Sequence, residues 1–163
     1  MMGSTEKSIK ISYKVVNKIS DLPEMDKQLL DMAIRASDRA YAPYSSFKVG
    51  SAVLLEGGII ITGSNQENAA YPSGLCAERV AVFSASSEYP NRIIEKIAIV
   101  SKYKNGQLRP VSPCGACRQA LYEYEAKQDR PIEILLVGEK QELLEFKNIL
   151  SLLPFGFGKD QMV

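Results

Sequence analysis

The 163-residue sequence predicts an α/β protein: a three-layer α/β/α sandwich around a central mixed sheet. Three observations predict it. Helical and strand periodicities alternate along the chain in the order α-β-β-α-β-α-β-α, the pattern of a central sheet with helices on both faces. "RIIEKIAIVSKY" and "PIEILLVG" are rich in Ile, Val and Leu, as strands covered on both sides are. Gly57-Gly58, set between two apolar runs, is a hairpin signal. A hairpin pairs antiparallel and strands separated by helices run parallel, so the sheet is mixed.

Each element has its own justification. "IKISYKVV" (9–16) alternates apolar and polar residues and reads as an edge strand. In the following segment Leu29, Leu30, Met32, Ala33, Ala36 and Ala40 recur near helical spacing between Pro23 and Pro43, which gives a helix of about four turns. "FKVGSAVLLEGGIIITGSN" supplies the two hairpin strands. "GLCAERVAVFSASSEY" returns to helical periodicity through Leu75, Val80, Ala81 and Phe83. "SPCGACRQALYEYEAKQ" opens the next helix, and "EKQELLEFKNILSLL" is expected to form a last one. Residues 1–25 are expected to be an N-terminal extension and residues 26–163 a single domain, since the chain is too short for two.

Composition narrows the function. Hydrophobic residues at 45% and charged residues at 24% are values of a folded globular chain. The net charge of +1 comes from scattered Lys and Arg without a basic stripe, which argues against a nucleic acid polymer and for a small partner. No apolar run approaches the roughly 20 residues of a membrane span, and the N-terminus lacks the apolar core of a secretory signal. A cytoplasmic, reducing location follows as the expectation, and there thiols persist better than disulfides.

There are three cysteines and no histidine. Three is a poor number for disulfides and one short of a closed tetrahedral zinc site. Cys76, Cys114 and Cys117 each fall where a loop becomes a helix, and there the helix dipole and free N–H groups favour thiolate. Zinc held by these sulfurs keeps one position for water, which distinguishes a catalytic site from a structural one. Glu78, beside Cys76, is placed to take that water's proton. Three thiolates overcompensate a divalent cation, and a guanidinium on sulfur would offset the excess. Arg79 is read in that role, while Arg118 stays open between it and an ordinary surface arginine. A thioredoxin-like redox pair would leave Cys76 and its neighbours unexplained, and a purely structural zinc module has no need of C-x-E with an adjacent Arg.

The pattern C-x-E (76–78) followed by P-C-x-x-C (113–117) is the three-cysteine form of the nucleobase deaminase signature. Together with "APYSSFKVGSA" (42–52), "GSNQENAAYPSGLCAERVAVFSA" (63–85), "SPCGACRQAL" (112–121) and "LLPFGF" (152–157), it resembles the small homotetrameric cytidine deaminases from about residue 28 to 158. The resemblance implies a cytidine deaminase-like fold and one zinc ion per subunit, held by Cys76, Cys114 and Cys117, with Glu78 as the general acid–base. It implies zinc-dependent conversion of cytidine and 2′-deoxycytidine to uridine and 2′-deoxyuridine with release of ammonia, as in pyrimidine salvage. It further implies that Asn65 and Glu67 bind the ribose hydroxyls and that Phe47 packs on the pyrimidine. The Ala77 N–H would meet the base carbonyl and the Ser112 carbonyl the exocyclic amine. A homotetramer with shared active sites would bring Tyr71 and a C-terminal aromatic from neighbours. Phe157 fits the family's LLPxxF spacing, whereas Phe155 is an extra aromatic. A deaminase acting on another aminopyrimidine, such as a blasticidin-type nucleoside antibiotic, shares this centre and is the nearest rival.

Overall fold

The computed structural model describes residues 4–162, so the outermost residues of the expected extension and domain, 1–3 and 163, lie outside the described residues. The chain runs through β1 (Lys14–Val16), α1 (Glu24–Asp38), β2 (Val49–Leu55), β3 (Ile59–Ser64), α2 (Ala77–Glu88), β4 (Ile94–Lys102), β5 (Leu108–Arg109), α3 (Gly115–Gln128), β6 (Glu133–Val137) and β7 (Leu143–Phe146). The strands form one mixed sheet in the order β1-β7-β6-β4-β2-β3, and β5 pairs with the C-terminal end of β4. The β4–β6 contact is parallel, as expected for neighbours joined by a helix, and the other strand pairs of the described sheet are antiparallel.

Side-chain alternation explains the unbroken apolar runs. Val53 and Leu55 of β2, Ile97 and Ile99 of β4, and Ile134 and Leu136 of β6 face one layer with α2 and α3 residues such as Ala81, Val82 and Leu121. Ala52, Leu54, Ala98, Val100, Leu135 and Val137 face the other, against Leu29, Leu30 and Ala33 of α1. Two glycines let the helices sit directly on the backbone of the sheet. A Cβ on Gly50 would lie 2.0 Å from the Ala33 carbonyl oxygen of α1, and one on Gly63 2.4 Å from the Ala81 nitrogen of α2.

The expected last helix is not formed. Leu143–Phe146 instead folds back as β7, pairing Val137 with Leu143 through a tight turn in which Gly138 N–H donates to the Glu142 carbonyl at 2.8 Å. Two short 3-10 turns, Ile149–Ser151 and Lys159–Gln161, follow. The spacing of Leu143, Phe146 and Ile149 imitates a helical stripe, but the sheet imposes a period of two. Leu143 joins the α1 layer and Phe146 the opposite one.

Period two also sends Glu145 to the α1 side, into a buried ion cluster. Lys96 Nζ of β4 lies 2.7 Å from Asp26 of α1, 2.8 Å from Glu133 of β6 and 3.2 Å from Glu145, which also pairs with Lys14 of β1 at 3.0 Å. Burial alone would lower the Lys96 amine, but Asp26 and Glu133 hold it above the ordinary lysine value. Burial would raise Glu145, but Lys14 and Lys96 hold it below the ordinary carboxylate value. The raised lysine stabilises the fold below its unfolded pKa and loses that contribution as pH climbs through the folded one. The depressed carboxylate acts above its unfolded pKa and loses its contribution as pH falls. Stability is therefore expected to drop below about pH 4 and above about pH 10. Lys96→Met strands the buried Asp26 carboxylate and should cost about 3 kcal/mol, read as a lower urea midpoint. A midpoint equal to that of the parent chain would refute the stabilising role.

Candidate metal centre and cavity

Two helix starts meet at the C-terminal ends of the strands that precede them. Cys76 is the residue before α2 and Cys114 the residue before α3, both in extended backbone, with Cys117 one turn into α3. The α3 stripe Cys117, Leu121 and Glu125 is buried. The Glu125 carboxylate fixes it by accepting from the Ile132 N–H at 2.8 Å and the Ile149 N–H at 3.0 Å. α2 is pressed onto β3 at Gly63, which sets the height of its first turn.

The three sulfurs converge as a result. Cys76 Sγ is 3.8 Å from Cys114 Sγ, Cys114 Sγ is 3.4 Å from Cys117 Sγ, and all three lie within 4.8 Å of one another. No disulfide joins them. A tetrahedral ion with bonds of about 2.3 Å sets its sulfurs about 3.8 Å apart, so the cluster matches one face of a zinc tetrahedron. Charge is distributed to suit. The Cys117 thiol donates toward Cys76, whose pKa falls to about 5 against the effect of burial, with Arg79 assisting. That same hydrogen bond, burial and the nearby Glu78 push Cys117 up. Arg79 Nη2 is 3.9 Å from Cys76 Sγ, and its Nε is buried without a partner.

Glu78, the second residue of α2, is 4% exposed. Burial pushes its carboxyl up, and the neighbouring Cys76 charge adds to the rise. It lines a cavity of about 360 Å³ together with Phe47, Asn65, Glu67, Ala77 and Ser112. The N–H groups of Ala77 and Glu78, in the first turn of α2, have no carbonyl one turn earlier to bond. Asn65 follows β3 and locks the Phe47 loop: its Oδ1 accepts from Val49 N–H at 2.8 Å and its Nδ2 donates to the Phe47 carbonyl at 2.9 Å. Glu67 accepts from the Ser45 hydroxyl and from the Tyr44 N–H at 2.9 Å. The Ser45 hydroxyl is the main cause of its lowered pKa.

The structure thus gathers Cys76, Cys114, Cys117, Glu78, Arg79, Ala77, Ser112, Phe47, Asn65 and Glu67 around one centre. Tyr71 instead lines an adjoining cavity of about 480 Å³, shared with Asn65, Glu67 and Cys76, and stands 77% exposed with its ring 6.3 Å from Tyr44. Phe157 reaches neither cavity in its own chain. It is 57% exposed, and its carbonyl accepts from the Gln119 side chain at 2.7 Å. Arg118 does not turn to sulfur; it donates to the carbonyls of Pro113 at 2.8 Å and Leu152 at 2.7 Å, tying the cysteine loop to the C-terminal segment. Two contributors escape a reading of the sequence. Ser45 is one, a loop hydroxyl without a motif. Arg109 is the other, carried by β5, which the turn signal Asn105-Gly106 marks; Gly106 adopts φ +84° there.

Comparison with known proteins agrees with this geometry. A family model described as the cytidine and deoxycytidylate deaminase zinc-binding region matches residues 23–129. The chain is 42% identical to a cytidine deaminase of Halalkalibacterium halodurans over 139 residues, which cover 85% of this chain and 98% of that one. A cytidine deaminase of Sporosarcina psychrophila is 38% identical over 137 residues, 83% of this chain and 93% of that one. Among solved structures, the cytidine deaminase of Burkholderia pseudomallei superposes with a TM-score of 0.68 at 36% identity, covering 80% of this chain and 97% of that one. That of Mycobacterium tuberculosis gives 0.63 at 33% identity, with coverage of 80% and 95%.

Proposed function

The chain belongs to the zinc-binding cytidine and deoxycytidylate deaminase family, and from that premise we propose how its own residues divide the work. Its activity is the zinc-dependent hydrolytic deamination of cytidine to uridine and ammonia. Cys76, Cys114 and Cys117 hold the ion, one per subunit. When bound, zinc supplies the Lewis acidity that makes water a nucleophile near neutral pH. Glu78 takes the proton of the attacking water and delivers it to N3 of the cytosine as C4 is attacked. It then takes the remaining proton from the hydroxyl added at C4 and passes it to the departing amine, so that ammonia leaves and a carbonyl remains. Its burial suits both halves of the task, because raising a carboxyl's pKa makes it a better proton acceptor that can still return the proton. Arg79 draws charge from Cys76.

The same assignment gives Phe47 the pyrimidine face, the Ala77 N–H the base carbonyl and the Ser112 carbonyl the exocyclic amine. Asn65 and Glu67 take the ribose hydroxyls, and 2′-deoxycytidine is a second substrate. Tyr71 and Phe157, both exposed in a lone chain, serve neighbouring subunits of a homotetramer. The deaminase is one domain over residues 26–163, behind an extension that lends β1 to the sheet edge. We place it in the cytoplasm, on the strength of its free thiols. Among the described residues no helix is long and apolar enough to cross a membrane.

The observation that carries the assignment is the cluster of three sulfurs beside a buried carboxylate on the wall of one cavity. The test is ultraviolet turnover of cytidine and of free cytosine, with and without a chelator. Cytidine turnover should vanish on chelation and return with zinc. Cytosine should be at least about 10-fold worse, since it lacks the ribose hydroxyls assigned to Asn65 and Glu67. Full turnover in metal-free protein would overturn the mechanism, and equal rates on both substrates would overturn the ribose assignment.

A further inference from the structure

Outside the residues assigned above, one charged side chain packs on a ring of the cavity wall. The guanidinium carbon of Arg109 lies 4.3 Å from the centroid of the Phe47 ring and 5.1 Å from that of Tyr103. Among the described residues its Nε is buried without a hydrogen-bond partner. Two aromatic rings are therefore its partners. A guanidinium stacked on such faces is attracted to the ring quadrupole, and more strongly where water is excluded.

The local chain makes this contact rigid. β5 pairs Arg109 with Ser101 of β4, so the guanidinium comes from a sheet strand at the end of the Tyr103–Arg109 hairpin. Phe47 is pinned on its main chain from both sides: its N–H donates to Ser45 Oγ at 2.9 Å and its carbonyl accepts from Asn65. Those bonds fix where the ring begins, and the ring itself packs against the apolar core on one side and takes the Arg109 guanidinium on another. Phe47 lines the cavity, and the Arg109 guanidinium packs on its ring from outside that lining.

We infer that Arg109 is a positioning residue for the deaminase reaction, clamping the Phe47 ring in the orientation against which the pyrimidine packs. This rests on the assignment of Phe47 to the base. A ring held in place contributes alike to ground-state and transition-state binding, so its loss acts on KM and leaves kcat nearly unchanged.

The test measures steady-state kinetics on cytidine for Arg109→Met and Arg109→Lys, each alone and combined with Phe47→Ala, with bound zinc measured for every variant. Arg109→Met should raise KM about 3- to 30-fold with kcat within about twofold and zinc unchanged. Arg109→Lys, which keeps charge but loses the planar stack, should recover part of the loss. In the Phe47→Ala background Arg109→Met should change nothing further. An unaltered KM in Arg109→Met, or an equal effect with and without the ring, would overturn the clamp. If Phe47→Ala itself leaves KM unaltered, it is the assignment of Phe47 that fails, and the two failures are thereby told apart.

Discussion

Glu78→Gln is expected to lower cytidine turnover by about 10²–10⁴-fold while zinc stays at one ion per chain. The carboxyl is 4% exposed and burial raises its pKa, so it stands ready to exchange a proton. The amide keeps its volume and can still hydrogen-bond, but it can neither accept the water's proton nor return it to N3 or the amine. Its position in the first turn of α2, beside Cys76 but outside the sulfur cluster, separates its work from metal binding. Metal analysis and turnover on one preparation check both halves. Loss of zinc along with activity would make Glu78 a ligand and would refute the proton-shuttle role.

Cys114→Ala should empty the site and abolish turnover together. The residue is exposed, so its truncation opens no core cavity, whereas Cys117 is fully buried and its removal would also disturb packing. With sulfur separations of 3.8 and 3.4 Å the cluster is built for joint grip, and two sulfurs cannot hold the ion as three do. Because the ion binds the folded chain, its loss should also lower thermal stability, by about 4 kcal/mol where zinc exceeds its Kd a thousandfold. The measurement is zinc content and melting temperature under reducing conditions. A variant with full zinc content would overturn the ligand set.

Much of this was legible in the sequence because local signals and the global fold agree. Gly57-Gly58 marks the β2–β3 turn, and both glycines have positive φ there. Ile97, Ile99, Ile134 and Leu136 read as buried strand and are buried strand. The site was legible for a similar reason: a cysteine before a helix and C-x-x-C at the next helix start leave few alternatives. What escaped was set by tertiary pairing. Leu143, Phe146 and Ile149 have a helix's spacing, and pairing with β6 turns the first two into a strand while Ile149 starts a 3-10 turn. Glu145 looks like a solvated glutamate until that strand aims it at Lys96. Arg109 and Arg118 are indistinguishable from surface arginines in the sequence, since the Phe47 ring and the Leu152 carbonyl that recruit them lie far along the chain.

Gly63 carries a consequence for how tolerant the centre is to mutation. A single methyl there would meet the backbone of α2 at 2.4 and 2.5 Å, too close to be absorbed by any side-chain movement. The helix would have to lift away, carrying one sulfur and the acid with it while the α3 pair stayed behind. A position that never touches ion or nucleoside therefore sets the aperture of the whole centre, and its variants would show as weakened metal retention in a chain that otherwise folds.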